Sequence, residues 1–150
     1  PIALVNSTAK TTLYSHTIPA HALSVDAEYW VDISLDILNG SGATANLGLF
    51  LAMNGTDVIA THNESLANAA GNGKAVLEIR IAPTAVNAQS IFFRCWSVRA
   101  ASNAAFDAWQ YAGSSALDSS VAHTLSLAAI FSAANANISV MRRMAIARRL

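Results

Sequence analysis

Asp32, Ser34 and Asp36 recur at every second residue. On an extended strand they share one face, with successive groups ~6–7 Å apart. Two carboxylates on one face are the equipment of a glycosidase, one as acid and one as base. Alternation alone already demands polar residues at those positions, so a solvated or partner-facing surface is the expected role. Four histidines, His16, His21, His62 and His123, show no tight metal-ligand spacing. The single cysteine, Cys95, excludes an internal disulfide and lies in the apolar run Ile91 to Trp96. It reads as a small buried hydrophobe, because nothing local would lower a thiol pKa. There is no Gly-x-Ser-x-Gly elbow and no phosphate-cradling glycine loop. No catalytic residue, metal ligand or cofactor is therefore assigned, and a binding protein is expected in place of an enzyme.

The residue types that remain are those of contact surfaces. Trp30, Trp96, Trp109, Phe106 and Tyr111 are candidates for a sugar platform or a protein hot spot. Trp96, in the apolar run, is expected in the core. Trp30 falls on the polar side of its strand beside Asp32 and is expected at a partner contact. Asp107 and Gln110 flank Trp109, which suggests a half-exposed strand. Arg142, Arg143, Arg148 and Arg149 crowd the last nine residues, while Asp26, Glu28, Asp32 and Asp36 lie together near the front. That asymmetry suits pairing with a second copy or with an acidic partner. Arginine among apolar side chains packs its stem and forks to carboxylates. The interface candidates are thus Trp30, Phe106, Trp109, Arg142, Arg143, Arg148 and Arg149.

The elements that must position these residues are strands. Tyr29, Val31, Ile33, Leu35 and Ile37 alternate with Trp30, Asp32, Ser34, Asp36 and Leu38, the pattern of a strand buried on one face. Asn39-Gly40-Ser41-Gly42 turns the chain, and Asn54-Gly55 signals a two-residue hairpin. Further strands are expected at 11–18, 47–53, 57–62, 75–81 (ended by Pro83), 90–100, 106–112, 121–131 and 138–146. Residues 63–73 read as a polar loop, with a short helix possible at Glu64 to Ala70. Alanine raises helical propensity at 121–134, but the serines, threonine and β-branched residues there favour a strand. About 8–9 strands at this spacing imply one all-β antiparallel β-sandwich over 1–150, with a mobile N-terminal arm at 1–9 and a C-terminal arm at 147–150.

The 150 residues carry nine basic and nine acidic side chains, so no basic footprint for nucleic acid exists. Charged residues make up 12% of the chain, about half the usual share, against 53% hydrophobic residues that include 31 alanines. So little charge predicts an oligomer or an assembly. No stretch approaches the ~20 apolar residues of a membrane span, and residues 1–6 lack the pattern of a signal peptide. Synthesis in a cytoplasm is expected, and the five Asn-x-Ser/Thr sequons read as polar turns.

Thr12-Leu13-Tyr14-Ser15-His16-Thr17-Ile18-Pro19-Ala20-His21-Ala22-Leu23 resembles a first-strand motif, TLYS-x-TIPA-x-x-L, of phage and prophage virion proteins. His123-Thr124-Leu125-Ser126-Leu127, followed by the turn at 132–138 and a closing strand, resembles their C-terminal hairpin. The resemblance follows strand order through most of the chain, and these two stretches carry its motifs. It implies a jelly-roll sandwich on the virion, often a homotrimer, with capsid cement or decoration proteins of tailed phages the closest in size. The implied partner is the major capsid protein, and the implied location is the capsid surface after synthesis in the host cytoplasm. Tail-fibre and receptor-binding tips use similar folds, although this chain has no repeat or shaft. The family supplies no catalytic residues.

Overall fold

A computed structural model describes the backbone at residues 3–66, 69–98 and 106–150. Within these, the side chains at 60–66, 69–72, 97–98, 106–107 and 109 fall outside the described set. Ten strands are described: β1 (Ala3–Val5), β2 (Thr11–Ile18), β3 (Tyr29–Asn39), β4 (Ala45–Met53), β5 (Thr56–Leu66), β6 (Ala69–Ala85), β7 (Ala88–Val98), β8 (Phe106–Ser115), β9 (His123–Phe131) and β10 (Ile138–Arg149). They form a six-stranded sheet, β1-β10-β3-β6-β7-β8, and a four-stranded sheet, β2-β9-β4-β5.

Four antiparallel ladders nest one inside the next: β4 with β5, β3 with β6, β2 with β9, and β1 with β10. A chain folded as one long hairpin and rolled, so that alternate ladders enter opposite sheets, has this pairing. It is the connectivity of a jelly roll. The ladders β10–β3 and β4–β9 close the two sheets. The hairpin β7–β8 is inserted between β6 and β9 and widens one sheet to six strands.

Period two sets the core. Tyr29, Val31, Ile33, Leu35 and Ile37 of β3 are buried, as are Leu77, Ile79 and Ile81 of β6 and Phe93 of β7. They belong to one cluster with Leu47, Leu49 and Leu51 of β4 and Leu125, Leu127 and Phe131 of β9. Each such side chain contributes about 1.5–3 kcal/mol by leaving water. The Asn54-Gly55 hairpin is as expected: Asn54 (φ 51°) and Gly55 (φ 81°) join Met53 to Thr56, a two-residue turn that needs positive φ at both positions. Asn39 closes β3, and its side chain grips the next turn. Its Nδ2–H donates to the Ala43 carbonyl at 2.9 Å and its Oδ1 accepts from the Ser41 hydroxyl at 2.7 Å.

The chain departs from the pattern in five places. Residues 63–66 and 69–73, in the run expected as a polar loop with a short helix at 64–70, extend β5 and β6, so the polar run builds two long strands. Pro83 does not end β6. It stands past the end of β3, where only β7 flanks the strand, and a missing N–H costs no ladder bond on the open side. Residues 3–5, expected in a mobile arm, form β1, and Leu4 is buried. Of residues 147–150, expected as a C-terminal arm, 147–149 continue β10, and the main chains of Leu150 and Glu28 exchange two hydrogen bonds at 2.9 and 3.2 Å. The register of β10 shifts between Arg142 and Met144. Arg143 is the extra residue of a β-bulge, and one extra residue reverses every later side chain. Met144 and Ile146, which unbroken alternation would put on the side of the buried Val140, therefore point outward, while Ala145 and Ala147 pack against the core.

Candidate functional site

The outer face of the six-stranded sheet collects the residue types of a contact surface. Strand register aligns them in cross-strand rows. One row runs Arg148, Trp30, Arg80, Phe92 and Ala112 across β10, β3, β6, β7 and β8. The next, two residues along, runs Ile146, Asp32, Glu78, Arg94 and Gln110. The third runs Met144, Ser34, Val76, Trp96 and Ala108. Met141, Asp36 and Lys74 begin a fourth.

Arginine and aromatic rings interleave on this grid. The Arg80 guanidinium lies 3.6 Å from the Trp30 ring centroid on one side, and that of Arg148 lies 5.5 Å from it on the other. The Trp30 Nε1–H donates to Glu28 Oε2 at 2.8 Å, which fixes the ring plane. On β7 the Arg94 guanidinium is 5.2 Å from the Phe92 ring and 5.3 Å from the Trp96 ring. Such contacts contribute about 0.5–1 kcal/mol each at exposed sites and more where water is excluded.

The carboxylates of the face are already engaged. Asp36 binds Lys74 at 2.9 Å and also Arg143, and these two cations hold its carboxyl below the usual range. Asp32 binds Arg148 at 3.0 Å. Glu78, nearly buried in the middle of the grid, pairs with Arg80. Asp32 and Asp36, whose spacing on one face could have equipped a glycosidase, instead serve ion pairs to β10 and β6. The same pairs answer the charge asymmetry of the sequence. Acidic β3 and basic β10 are neighbours in one sheet, so Asp32 and Asp36 meet Arg148 and Arg143 within the chain.

The seven interface candidates separate accordingly. Trp30, Arg143 and Arg148 share the outer face. Arg142 lies elsewhere, half-buried, its guanidinium 5.7 Å from the Tyr14 ring. Arg149 donates to the Ser24 hydroxyl at 2.8 Å. Phe106 and Trp109 pair through the backbone with Val98 and Cys95 on the edge strand β8, and their side chains lie outside the described residues. Trp96 is not in the core, contrary to expectation. Phe93 and Cys95 take the inward positions of β7, so Phe92, Arg94 and Trp96 must face out.

Sequence reasoning missed Arg80, Phe92, Arg94, Met144 and Ile146. For β7 the signal was present, since period two counted from Phe93 would have exposed Phe92, Arg94 and Trp96. For Met144 and Ile146 it was hidden, because the bulge at Arg143 leaves no mark in the alternation. The exposed apolar surface there is large: Met144 is 51%, Val76 47% and Ile146 45% exposed.

Elsewhere, the imidazole of His16 meets the Tyr29 hydroxyl between the Tyr14 and Tyr29 rings. His123 is buried, with Nε2 2.7 Å from the Asp118 carbonyl and Nδ1 2.9 Å from the Asn54 amide nitrogen. A carbonyl only accepts, so Nε2 carries the proton and the Asn54 amide donates to Nδ1. Among the described residues no group of three His, Cys, Asp or Glu side chains is placed to hold a metal ion.

No sequence-family model matches the chain. No curated protein matches it in sequence. Several solved structures are similar in outline. The C-terminal domain of EclA, a sugar-binding protein, superposes with a TM-score of 0.42 at 11% identity, over 98% of this chain and 76% of that one. A chain of infectious bursal disease virus, Gx strain, gives 0.35 at 16% identity, over 99% of this chain and 38% of that one. The lectin UEA-II, complexed with galactose, gives 0.34 at 8% identity, over 94% of this chain and 78% of that one.

Proposed function

We propose that this protein is a virion structural protein of the capsid cement or decoration type, which docks on other protein subunits through the outer face of its six-stranded sheet. The observation that carries the reading is the grid itself. Trp30, Phe92 and Trp96 interleave with Arg80, Arg94 and Arg148, beside the outward-facing Met144, Ile146 and Val76. Tryptophan and arginine are the residues enriched at protein hot spots, and exposed apolar patches of this kind mark contact sites. Four strand spacings of ~4.8 Å by three two-residue steps of ~6.7 Å make a face of roughly 400 Å². That is about half of one partner's share of a standard protein–protein contact. One copy binding through this face alone would be weak. A homotrimer presenting three faces would bind far more tightly through effective concentration.

In this reading the partner is the major capsid protein, and the location is the capsid surface. Bridging neighbouring shell subunits opposes internal pressure, because the shell opens only after several contacts break together. The motifs at 12–23 and 123–127 support the virion assignment, and the 12% charged content supports assembly. The test is to strip this protein from purified capsids and add it back. Add-back is expected to restore resistance to heat and to chelator, and Trp30→Ala with Met144→Ser is expected to lose that effect. Stripped capsids as resistant as intact ones would refute the stabilising role. A second reading, a receptor-binding or tail-fibre tip that binds carbohydrate, is favoured by one feature: Trp30 and Trp96 are aromatic rings on an open sheet face flanked by polar side chains. Hits on a glycan array that vanish in Trp30→Ala would select it.

A further inference from the structure

We propose that Arg94 is the anchor of this docking face, and that it takes a carboxylate, an Asp or Glu side chain surrounded by apolar groups, from the partner protein. This rests on the docking reading above and adds the chemistry of the partner.

The described part of the face carries five cations, Lys74, Arg80, Arg94, Arg143 and Arg148, and four carboxylates, Glu28, Asp32, Asp36 and Glu78. The difference, five minus four, is a net charge of one positive. Glu28 accepts from the Trp30 indole, each of the other three carboxylates is held by a cation of the same chain, and four of the five cations are engaged in return. Arg94 is the remaining one: among the described residues it forms no ion pair, and its guanidinium instead lies between the Phe92 and Trp96 rings. A guanidinium kept between two rings is pre-oriented and partly stripped of water, so little ordering is left to do when a carboxylate arrives. The planar fork then binds both carboxylate oxygens.

The bulge at Arg143 is an independent observation on the same face. It turns Met144 and Ile146 outward and two alanines inward. Met144 stands in the row of Ser34, Val76 and Trp96, so Val76 and Trp96 border Arg94 with Met144 beyond Ser34, and these apolar groups would limit water around the pair. The occupant is a different protein and not a second copy using the same face. A two-fold contact of this face with itself would set two net-positive surfaces against each other. An acidic, partly apolar surface is the complement.

The experiment measures co-sedimentation of the whole protein with capsid shells stripped of it, for wild type, Arg94→Lys, Arg94→Gln, Arg94→Glu and the pair Met144→Ser/Ile146→Ser. Circular dichroism verifies that each variant is folded. Arg94→Glu is expected to weaken binding by more than about tenfold, Arg94→Gln by about tenfold, and Arg94→Lys by several-fold, since an ammonium keeps the charge and loses the fork. If Met144→Ser/Ile146→Ser loses binding while Arg94→Gln and Arg94→Glu bind like wild type, the face docks but the carboxylate anchor is wrong. If no variant changes binding, the docking reading falls with it. Arg94→Glu that alters only the self-association of the protein alone overturns the choice of partner in favour of a second copy. Displacement from shells by oligogalacturonate and not by a glutamate tripeptide overturns it in favour of an acidic glycan.

Discussion

Replacing Asn54 with alanine is expected to cost about 3–4 kcal/mol of stability, much more than an ordinary turn substitution. The side chain of Asn54 joins the hairpin β4–β5 to the start of β9. Its Oδ1 accepts from the Thr124 N–H at 2.9 Å, and its amide donates to His123 Nδ1 at 2.9 Å. The main-chain bond from Asn54 N–H to the Thr124 carbonyl, at 2.8 Å, survives the substitution. Two side-chain bonds are lost at about 1 kcal/mol each. His123 is 5% exposed, so its Nδ1 is left without a partner, which adds about 1 kcal/mol. Alanine at φ 51° adds about 1 kcal/mol of backbone strain that asparagine largely avoids. Urea unfolding followed by tryptophan fluorescence measures the sum. Asn54→Gly separates its parts, because glycine accepts the positive φ and loses only the bonds, for an expected cost of about 2–3 kcal/mol. A loss below about 1 kcal/mol in Asn54→Ala would refute the account of the clasp. Equal losses in the alanine and glycine variants would refute the strain component alone.

Three further outcomes are expected. The carboxyl of Asp36 is held low by Lys74 and Arg143, so the unfolded chain takes up its proton first as pH falls. The stability this group contributes is complete above the unfolded value near 3.8 and is lost as pH drops through the lower folded value, and an acid titration of thermal stability should be flatter at that end in Asp36→Asn. Burial pushes the Tyr14 and Tyr29 hydroxyls above the ordinary value of 10.0, so stability is complete below pH 10 and declines as pH climbs through the raised folded values. Melting temperatures between pH 9 and 11.5 should show that decline in wild type and less of it in Tyr14→Phe. Gln89, 1% exposed, donates to the Leu117 carbonyl at 3.0 Å and accepts from the Leu117 N–H at 2.9 Å and the Ser115 hydroxyl at 3.1 Å. Gln89→Ala should cost about 2–4 kcal/mol in thermal unfolding and speed amide exchange at Leu117, and an unchanged exchange rate would contradict the clamp.

The fold was legible where one rule acted alone. Period two placed β2, β3, β4 and β9 close to their observed bounds, and Asn54-Gly55 declared its own turn. Legibility failed where a second effect intervened. Residues 63–73 read as loop because long strands that carry polar residues look like loops in composition. Pro83 read as a stop because the sequence does not show that β3 ends before it. The outward turn of Met144 and Ile146 was not legible because a bulge is a property of the pairing, visible only once β10 lies against β3. The candidate surface was half legible for the same reason. Trp30 announces itself beside Asp32, whereas the arginines that clasp it come from β6 and β10, fifty and more residues away along the chain.

The nesting of the ladders bears on how the molecule is made. β10 is the last strand in order, yet it lies between β1 and β3 in the larger sheet. Until it emerges, β1 lacks its ladder partner and one edge of β3 stays open. Little of the structure can then settle during synthesis, and acquisition of the native state should be slow and late, governed by distant pairings. The partly made chain would meanwhile offer sticky edges to its neighbours in the cell.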